Sequence, residues 1–205
     1  MKANHQSQQF RLEDNLLKHF PEQIRQNEGF IDGFTADLKT LSEHPHPKDG
    51  FAGMEVKGDL LTDKDNAGAA VLEAFKDAKG MEPVPIGNYR GFAMSLTVED
   101  FGREFVLTLK GKMNHRVTLG KDVRGNLTRI DNALNAIPQR MQAVQDRLAN
   151  LREQVETAKA ELGKPFPQEE ELRVKSARLA ELNAELNIDD RTPMEQLAED
   201  APAVQ

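Results

Sequence analysis

Between positions 88 and 129 the chain carries eight bases: Arg90, Arg103, Lys110, Lys112, Arg116, Lys121, Arg124 and Arg129. Four acids stand against them (Glu99, Asp100, Glu104 and Asp122), so eight minus four leaves this stretch at +4 in a protein of net charge −7. Lysine and arginine side chains only donate hydrogen bonds, and a cluster of them can hold phosphate or carboxylate oxygens. Arg90, Lys110, Lys112, Arg116, Lys121, Arg124 and Arg129 are therefore the candidate contacts to nucleic acid or to another partner. Tyr89, Phe92 and Phe101 lie among them as candidate stacking surfaces. The same residues also suit a plainer role, in which strand alternation leaves Lys and Arg on a wet face guarding a sheet edge.

No other constellation in the sequence makes a catalytic or metal site. There is no GxxxxGK[ST] phosphate loop. His44-Pro45-His46 puts two imidazoles close together, but no third ligand is spaced to join them, and the prolines make it an exposed turn. His115 falls on an expected strand with no neighbouring Ser, Cys or carboxylate to orient it. Glu169, Glu170 and Glu171 are accounted for by the positive end of the helix they open. Arg124-Gly125-Asn126 sits where an anion loop could form, yet a single glycine is a poor basis for one. Cysteine is absent, which excludes disulfides, thiolate catalysis and cysteine-ligated zinc, and suits a reducing compartment. The chain is read as non-enzymatic, with no cofactor and no metal.

Apolar periodicity gives the elements that must position these side chains. In residues 130–162, Ile130, Leu134, Ile137, Met141, Val144, Leu148, Leu151, Val155, Ala158 and Leu162 follow the heptad pattern of a coiled coil. In residues 10–41, Phe10, Leu17, Phe20, Ile24, Asn27, Ile31, Phe34, Leu38 and Leu41 repeat it. A helix with one narrow apolar stripe cannot bury that stripe alone. The two are expected to pair as an antiparallel hairpin, with a parallel homodimer of either as the competing arrangement. Pro21 and Pro138 are expected to bend them, and Asn27 is placed where a buried polar residue can fix register.

Between the helices, residues 53–57 read as a strand and residues 62–79 as a helix capped by Thr62 and stopped by Gly80. Residues 89–98, 103–110 and 113–119 alternate as strands. The cap of the following helix is expected at Asn126 or Thr128. A last helix over 167–187 carries the stripe Leu172, Leu179, Leu182 and Leu186, expected to fold back on the hairpin. The fold class is thus α+β: an antiparallel coiled-coil hairpin with an inserted β-α-β-β-β domain and a C-terminal helix. The expected divisions are 1–48 (first arm), 49–123 (inserted domain), 124–188 (second arm and return helix) and 189–205 (disordered acidic tail). Charged residues at 30% and aromatics at 5% fit an extended helical protein with a modest core. No apolar run of membrane-spanning length occurs, so a cytoplasmic protein with no membrane partner is expected.

Several segments, taken together, resemble a known group of proteins. They are Gly50-Phe-Ala-Gly-Met-Glu-Val, Leu61-Thr-Asp-Lys-Asp, Ile86-Gly-Asn-Tyr-Arg-Gly-Phe, Leu107-Thr-Leu-Lys-Gly, Gly125-Asn-Leu-Thr-Arg-Ile-Asp-Asn-Ala-Leu and Lys164-Pro-Phe-Pro-Gln-Glu-Glu-Glu-Leu. The chain resembles, over roughly residues 2–188, the C-terminal region of large Swi/Snf-like helicase and DNA-methylase proteins of bacterial conjugative and other mobile elements. The motor and methyltransferase motifs of those proteins are missing here, so neither activity is implied. What the resemblance implies is an accessory module contacting DNA, or a DNA-processing protein such as the helicase body, through the inserted domain. The alternative is a stand-alone inhibitor of a host defence nuclease, of anti-CRISPR or anti-restriction type, acting by protein–protein binding. The net charge and acidic tail suit the alternative; the basic strands suit the first reading.

Overall fold

Alternating apolar residues build the centre of this protein. Phe92, Met94, Leu96 and Val98 in one strand, Leu107 and Leu109 in the next, and His115, Val117 and Leu119 in a third all point to one side and are buried. The computed structural model describes residues 2–48, 50–78, 81–100 and 103–189. The helical elements are α1 (Lys2–Asp14), α2 (Phe20–Glu43), α3 (Lys64–Ala74), α4 (Val123–Asn135), α5 (Ile137–Glu161) and α6 (Glu169–Asp189). The strands are β1 (Met54–Val56), β2 (Asp59–Leu61), β3 (Val84–Tyr89), β4 (Phe92–Glu99), β5 (Glu104–Lys110) and β6 (Asn114–Leu119). They form one antiparallel sheet in the order β2-β1-β3-β4-β5-β6.

The mixed α+β class is as expected, but the inserted β-α-β-β-β domain is not. Six strands replace four, in the order β-β-α-β-β-β-β, because two tight turns escaped the pattern. Lys57-Gly58 joins β1 to β2 with φ of 53° and 91°. Arg90-Gly91, near the start of the strand expected at 89–98, is instead the turn that joins β3 to β4, with φ of 47° and 80°, and nearly all of β3 lies before the expected strand. Two-residue hairpin turns with both φ positive match the right-handed twist of the strands, and their usual signature is Asn-Gly or Asp-Gly. Here a base occupies the first position, where left-handed backbone is strained for an L residue.

Helix limits differ from expectation for local reasons. Asp63, not Thr62, caps α3, accepting from Asn66 N at 2.9 Å, and the helix stops at Ala74. Its expected stop at Gly80 lies outside the described residues, as does the tail from 190 onward. Asp122 caps α4 by accepting from Gly125 N at 2.6 Å. Asn126, a proposed cap, is instead fully buried. It receives Gly120 N at 2.7 Å and donates to Gly120 O at 2.8 Å, closing the β6–α4 loop.

The chain divides into two compact units, Lys18–Val155 and a second made from Met1–Leu17 with Glu156–Gln205. These divisions fall within the two expected arms. In the first unit, α2, α3, α4 and the start of α5 supply Phe34, Ala67, Val71, Leu127, Ile130, Leu134 and Ile137 to the core on one face of the sheet. In the second, Gln9 Nε2 donates to Glu161 O at 3.2 Å and Gln9 Oε1 accepts from Gly163 N at 2.6 Å. His5 Nε2 meets Lys164 O at 3.0 Å. Side chains of α1 thus satisfy backbone groups at the C-terminal end of α5.

A coiled-coil hairpin is not confirmed. Two links between α2 and α5, Arg152 Nη2 to Glu28 Oε1 at 3.0 Å and Thr35 Oγ1 to Met141 Sδ at 3.8 Å, run antiparallel. Yet Ile130, Leu134 and Ile137 of the heptad stripe belong to the core with the sheet. The helices are also interrupted. Pro21 has no N–H for Leu17 O, and the chain answers with a π-helical turn over Asn15–His19. Phe10 and Leu17 of the expected stripe are 71% and 70% exposed, while Leu12 and Leu16 are half-buried. At Pro138 the helix breaks for one residue, Ala136, between α4 and α5. The stripe on α6 is exposed rather than folded back.

The protein's one tyrosine offers a test of core integrity. Tyr89 is 1% exposed, stacks on Phe51 at 5.8 Å and donates to Asp131 Oδ1 at 2.6 Å. Burial first, and then the hydrogen bond to Asp131, hold its phenol well above its ordinary value of about 10. A raised folded pKa contributes stability in full below the unfolded value, and that stability is lost as pH rises toward the folded one. Phenolate absorbance should therefore stay silent through pH 10 and appear in one step with loss of far-UV circular dichroism. A reversible titration near pH 10 in the folded protein would refute this packing.

Candidate interface at the hairpin end of the sheet

Lys110, Lys112 and Arg116 owe their position to a buried carboxylate. Asp37, on α2 and 1% exposed, accepts from Lys112 N at 2.6 Å, Met113 N at 3.0 Å and His115 Nε2 at 2.8 Å. The two backbone donors belong to the β5–β6 turn, and His115 is the first inward residue of β6. The His115 ring, fully buried, lies 6.2 Å from Phe34 and edge-on to Phe92 at 5.7 Å. Its Nδ1 has no hydrogen-bond partner, so the ring's polar anchorage comes from Asp37 alone. Glycine at 111 allows the close approach: a Cβ there would overlap the Asp37 carboxylate and come within 2.6 Å of Phe92 Cε1. Neither Asp37 nor His115 reaches solvent, so the pair acts as a clamp on the turn.

Two groups emerge from the seven bases. Lys110 opposes Asn114, and Thr108 opposes Arg116, so Lys110 and Arg116 share the sheet face away from the helices, with Lys112 in the turn between their strands. Ala93, next to the Arg90-Gly91 turn, pairs with Lys110, which places Arg90 at this same end of the sheet. Lys121, Arg124 and Arg129 lie beyond the other end of β6, about 20 Å along a six-residue strand. The structure does not bring them to the turn.

Most of the arginines are already engaged. Arg116 Nη2 pairs with Glu99 Oε1. Arg124 makes a two-pronged contact with Asp65 at 2.7 and 2.8 Å, linking α4 to α3 and holding the Asp65 carboxyl below its ordinary value. Arg129 donates to Asn126 Oδ1 at 3.0 Å. Arg90 Nε donates to His44 O at 3.2 Å, while its Nη1 is buried without a partner. Lys110, Lys112 and Lys121 are exposed and form no ion pair among the described residues. Of the expected stacking residues, Tyr89 and Phe92 are buried in the core, which removes them as surfaces for bases. Phe101 lies outside the described residues.

Beside the Arg90-Gly91 turn is a cleft of about 400 Å³, lined among others by His44, Glu55, Leu60, Asn88 and Arg90. Glu55 Oε2 accepts from Asn88 Nδ2 at 2.8 Å across its rim. His44 and His46 do not converge on a shared ligand: His44 Nδ1 meets Thr40 O at 3.1 Å, and His46 Nε2 lies 3.8 Å from Asp131 Oδ2. Among the described residues no three His, Asp or Glu side chains gather as a metal site, and no helix is long and apolar enough to cross a membrane.

No protein-family model matches the chain, and no curated protein or solved structure matches it either.

The clamp makes a stability prediction. Replacing Asp37 with Ala strands two backbone donors and a buried imidazole, and should cost about 3 kcal/mol in urea unfolding. Gly111→Ala, which pushes the same carboxylate aside, should cost about 2 kcal/mol. An Asp37→Ala midpoint indistinguishable from the parent would show that the turn holds itself.

Proposed function

We propose that the chain is a non-enzymatic interaction module that meets a polyanionic partner, nucleic acid foremost, at the hairpin end of its sheet. The observation that carries this reading is the pair Lys110 and Lys112: exposed, free of ion pairs among the described residues, and set at the end of β5 and in the turn clamped by Asp37. Ammonium groups on a fixed turn lose less freedom on binding than those on a loose loop. Arg90 and Arg116 flank them and would add contacts. The resemblance to the C-terminal region of mobile-element helicase and methylase proteins supports the same reading, as a module working beside a DNA-processing engine. Lys121, Arg124 and Arg129 form a separate group in this proposal and would meet a partner only if it spans the sheet.

A second reading, an inhibitor that binds a host defence nuclease, draws support from the net charge of −7 and from the burial of Tyr89 and Phe92. Loss of the stacking surfaces counts against a single-strand reader.

Anisotropy of labelled single- and double-stranded DNA over a salt series separates the two. Binding should weaken steeply with salt, without preference for single strands. Lys110→Glu with Lys112→Glu should flatten the log–log slope by about two units, one for each phosphate contact. Failure to bind either DNA at low salt would retire the nucleic-acid reading and turn the search to protein partners.

A further inference from the structure

Among the described residues, helix α6 of the second unit leaves its leucine stripe uncovered: all its side chains from 169 to 186 are exposed. Leu172, Leu179, Leu182 and Leu186, 40% to 64% exposed, fall on one side of it over roughly 20 Å. Internal ion pairs support the helix (Glu170 with Arg173 at 2.6 Å, Glu171 with Lys175 at 2.6 Å, Arg178 with Glu181 at 3.1 Å). Such pairs contribute only tenths of a kcal/mol each, and a helix of 21 residues is marginal in water without a surface to pack on.

Charge along α6 is blocked, and the blocks specify an occupant. After the three acids of the first turn, Glu169 to Glu171, residues 172–180 hold three bases, Arg173, Lys175 and Arg178, and no acid; residues 181–186 hold two acids, Glu181 and Glu185, and no base. A second copy laid parallel and in register sets base on base and acid on acid, and stacks Lys175 on Lys175 within the leucine stripe. Turned antiparallel, the same helix sets the basic block of each copy against the acidic block of the other. With Leu179 of one copy over Leu182 of its mate, the flanking heptad positions place Arg178 against Glu185, and the two-fold symmetry makes that pair twice.

We propose that α6 is a self-association surface, occupied by α6 of a second copy of this chain in antiparallel order. The contact involves a single helix from each copy, so it is small by the standard of stable interfaces and the dimer is concentration-dependent. It is separate from the basic turn at the sheet and does not depend on the function proposed for that turn.

Sedimentation equilibrium of the 205-residue chain over a wide concentration range reads the proposal directly. The mass should rise from monomer toward dimer, and Leu179→Gln with Leu182→Gln should keep it monomeric with the sheet's thermal unfolding unchanged. Arg178→Glu and Glu185→Arg should each weaken the dimer about tenfold by placing like charges opposite one another. The two together should restore it, although the carboxylate introduced at position 178 still faces Glu181 within its own helix; that rescue distinguishes the contact from simple loss of helix. A chain monomeric at every concentration, or a dimer indifferent to the leucine substitutions, overturns the proposal. Failure of the double swap to recover association overturns the antiparallel order.

Discussion

The three hydrogen bonds to Asp37 join the parts of the first unit that the chain order keeps apart. One carboxylate on α2 fixes the β5–β6 turn through two backbone amides and the start of β6 through His115. This interaction cannot be weakened gradually. In a dry site an ionised or hydrogen-bonding group left without its partners costs more than the bond itself contributes. Gly111 and the rings of Phe34 and Phe92 close around it, so its geometry and the packing of α2 on the sheet stand or fall together. The orphaned Nδ1 of His115 shows the same priority: the ring is placed for its shape and for Asp37, with its second nitrogen sacrificed.

Strand alternation made β4, β5 and β6 readable in the sequence, and helix periodicity gave most of α2, α5 and α6. The clamp was not readable, because its halves lie 78 positions apart and neither looks unusual alone. His115 has no orienting group beside it in sequence; its partner comes from another element. A signal did exist on the other side: Asp37 lies three residues after Phe34 and four before Leu41, on the apolar face of α2, where a carboxylate must find donors. The turns at Lys57-Gly58 and Arg90-Gly91 were missed because a base stands where Asn or Asp usually marks left-handed backbone. At Arg90 the guanidinium's bond to His44 O comes from outside the hairpin, so a local rule could not include it.

The heptad pattern left its partner open for a different reason. A spacing of four and three records which residues share a helix face, not what covers that face. Ile130, Leu134 and Ile137 obey the rule and are buried against the sheet unit's core; Leu148 and Leu151 obey it farther along α5 and are buried as well. The N-terminal helix adds a second lesson: within its own unit Phe10 and Leu17 are exposed, while the polar Gln9 and His5 take up bonding positions.

Where the aromatic side chains went bears on how the basic turn can recognise anything. In the sheet's register Tyr89 and Phe92 sit opposite each other on the inner face, so near the turn the outer face holds Ala93, Ser95, Thr108 and Asn114 beside Lys110 and Arg116, with Thr97, Val106, Thr118 and the acids Glu99 and Glu104 farther along it. Small side chains let a partner's backbone come close, and hydroxyl and amide groups can bond to it, but none of them can stack on a base. Recognition there would rest on charge and hydrogen bonding to an anionic backbone. The protein's overall charge is negative, yet at physiological ionic strength charges are felt over about 8 Å. Acids farther than that from the turn do little to cancel Lys110 and Lys112. What would limit the proposed contact is local: Glu99 already holds Arg116 and the His44 carbonyl holds Arg90, so a partner of the proposed kind would either meet two free lysines or draw the arginines away from their present bonds.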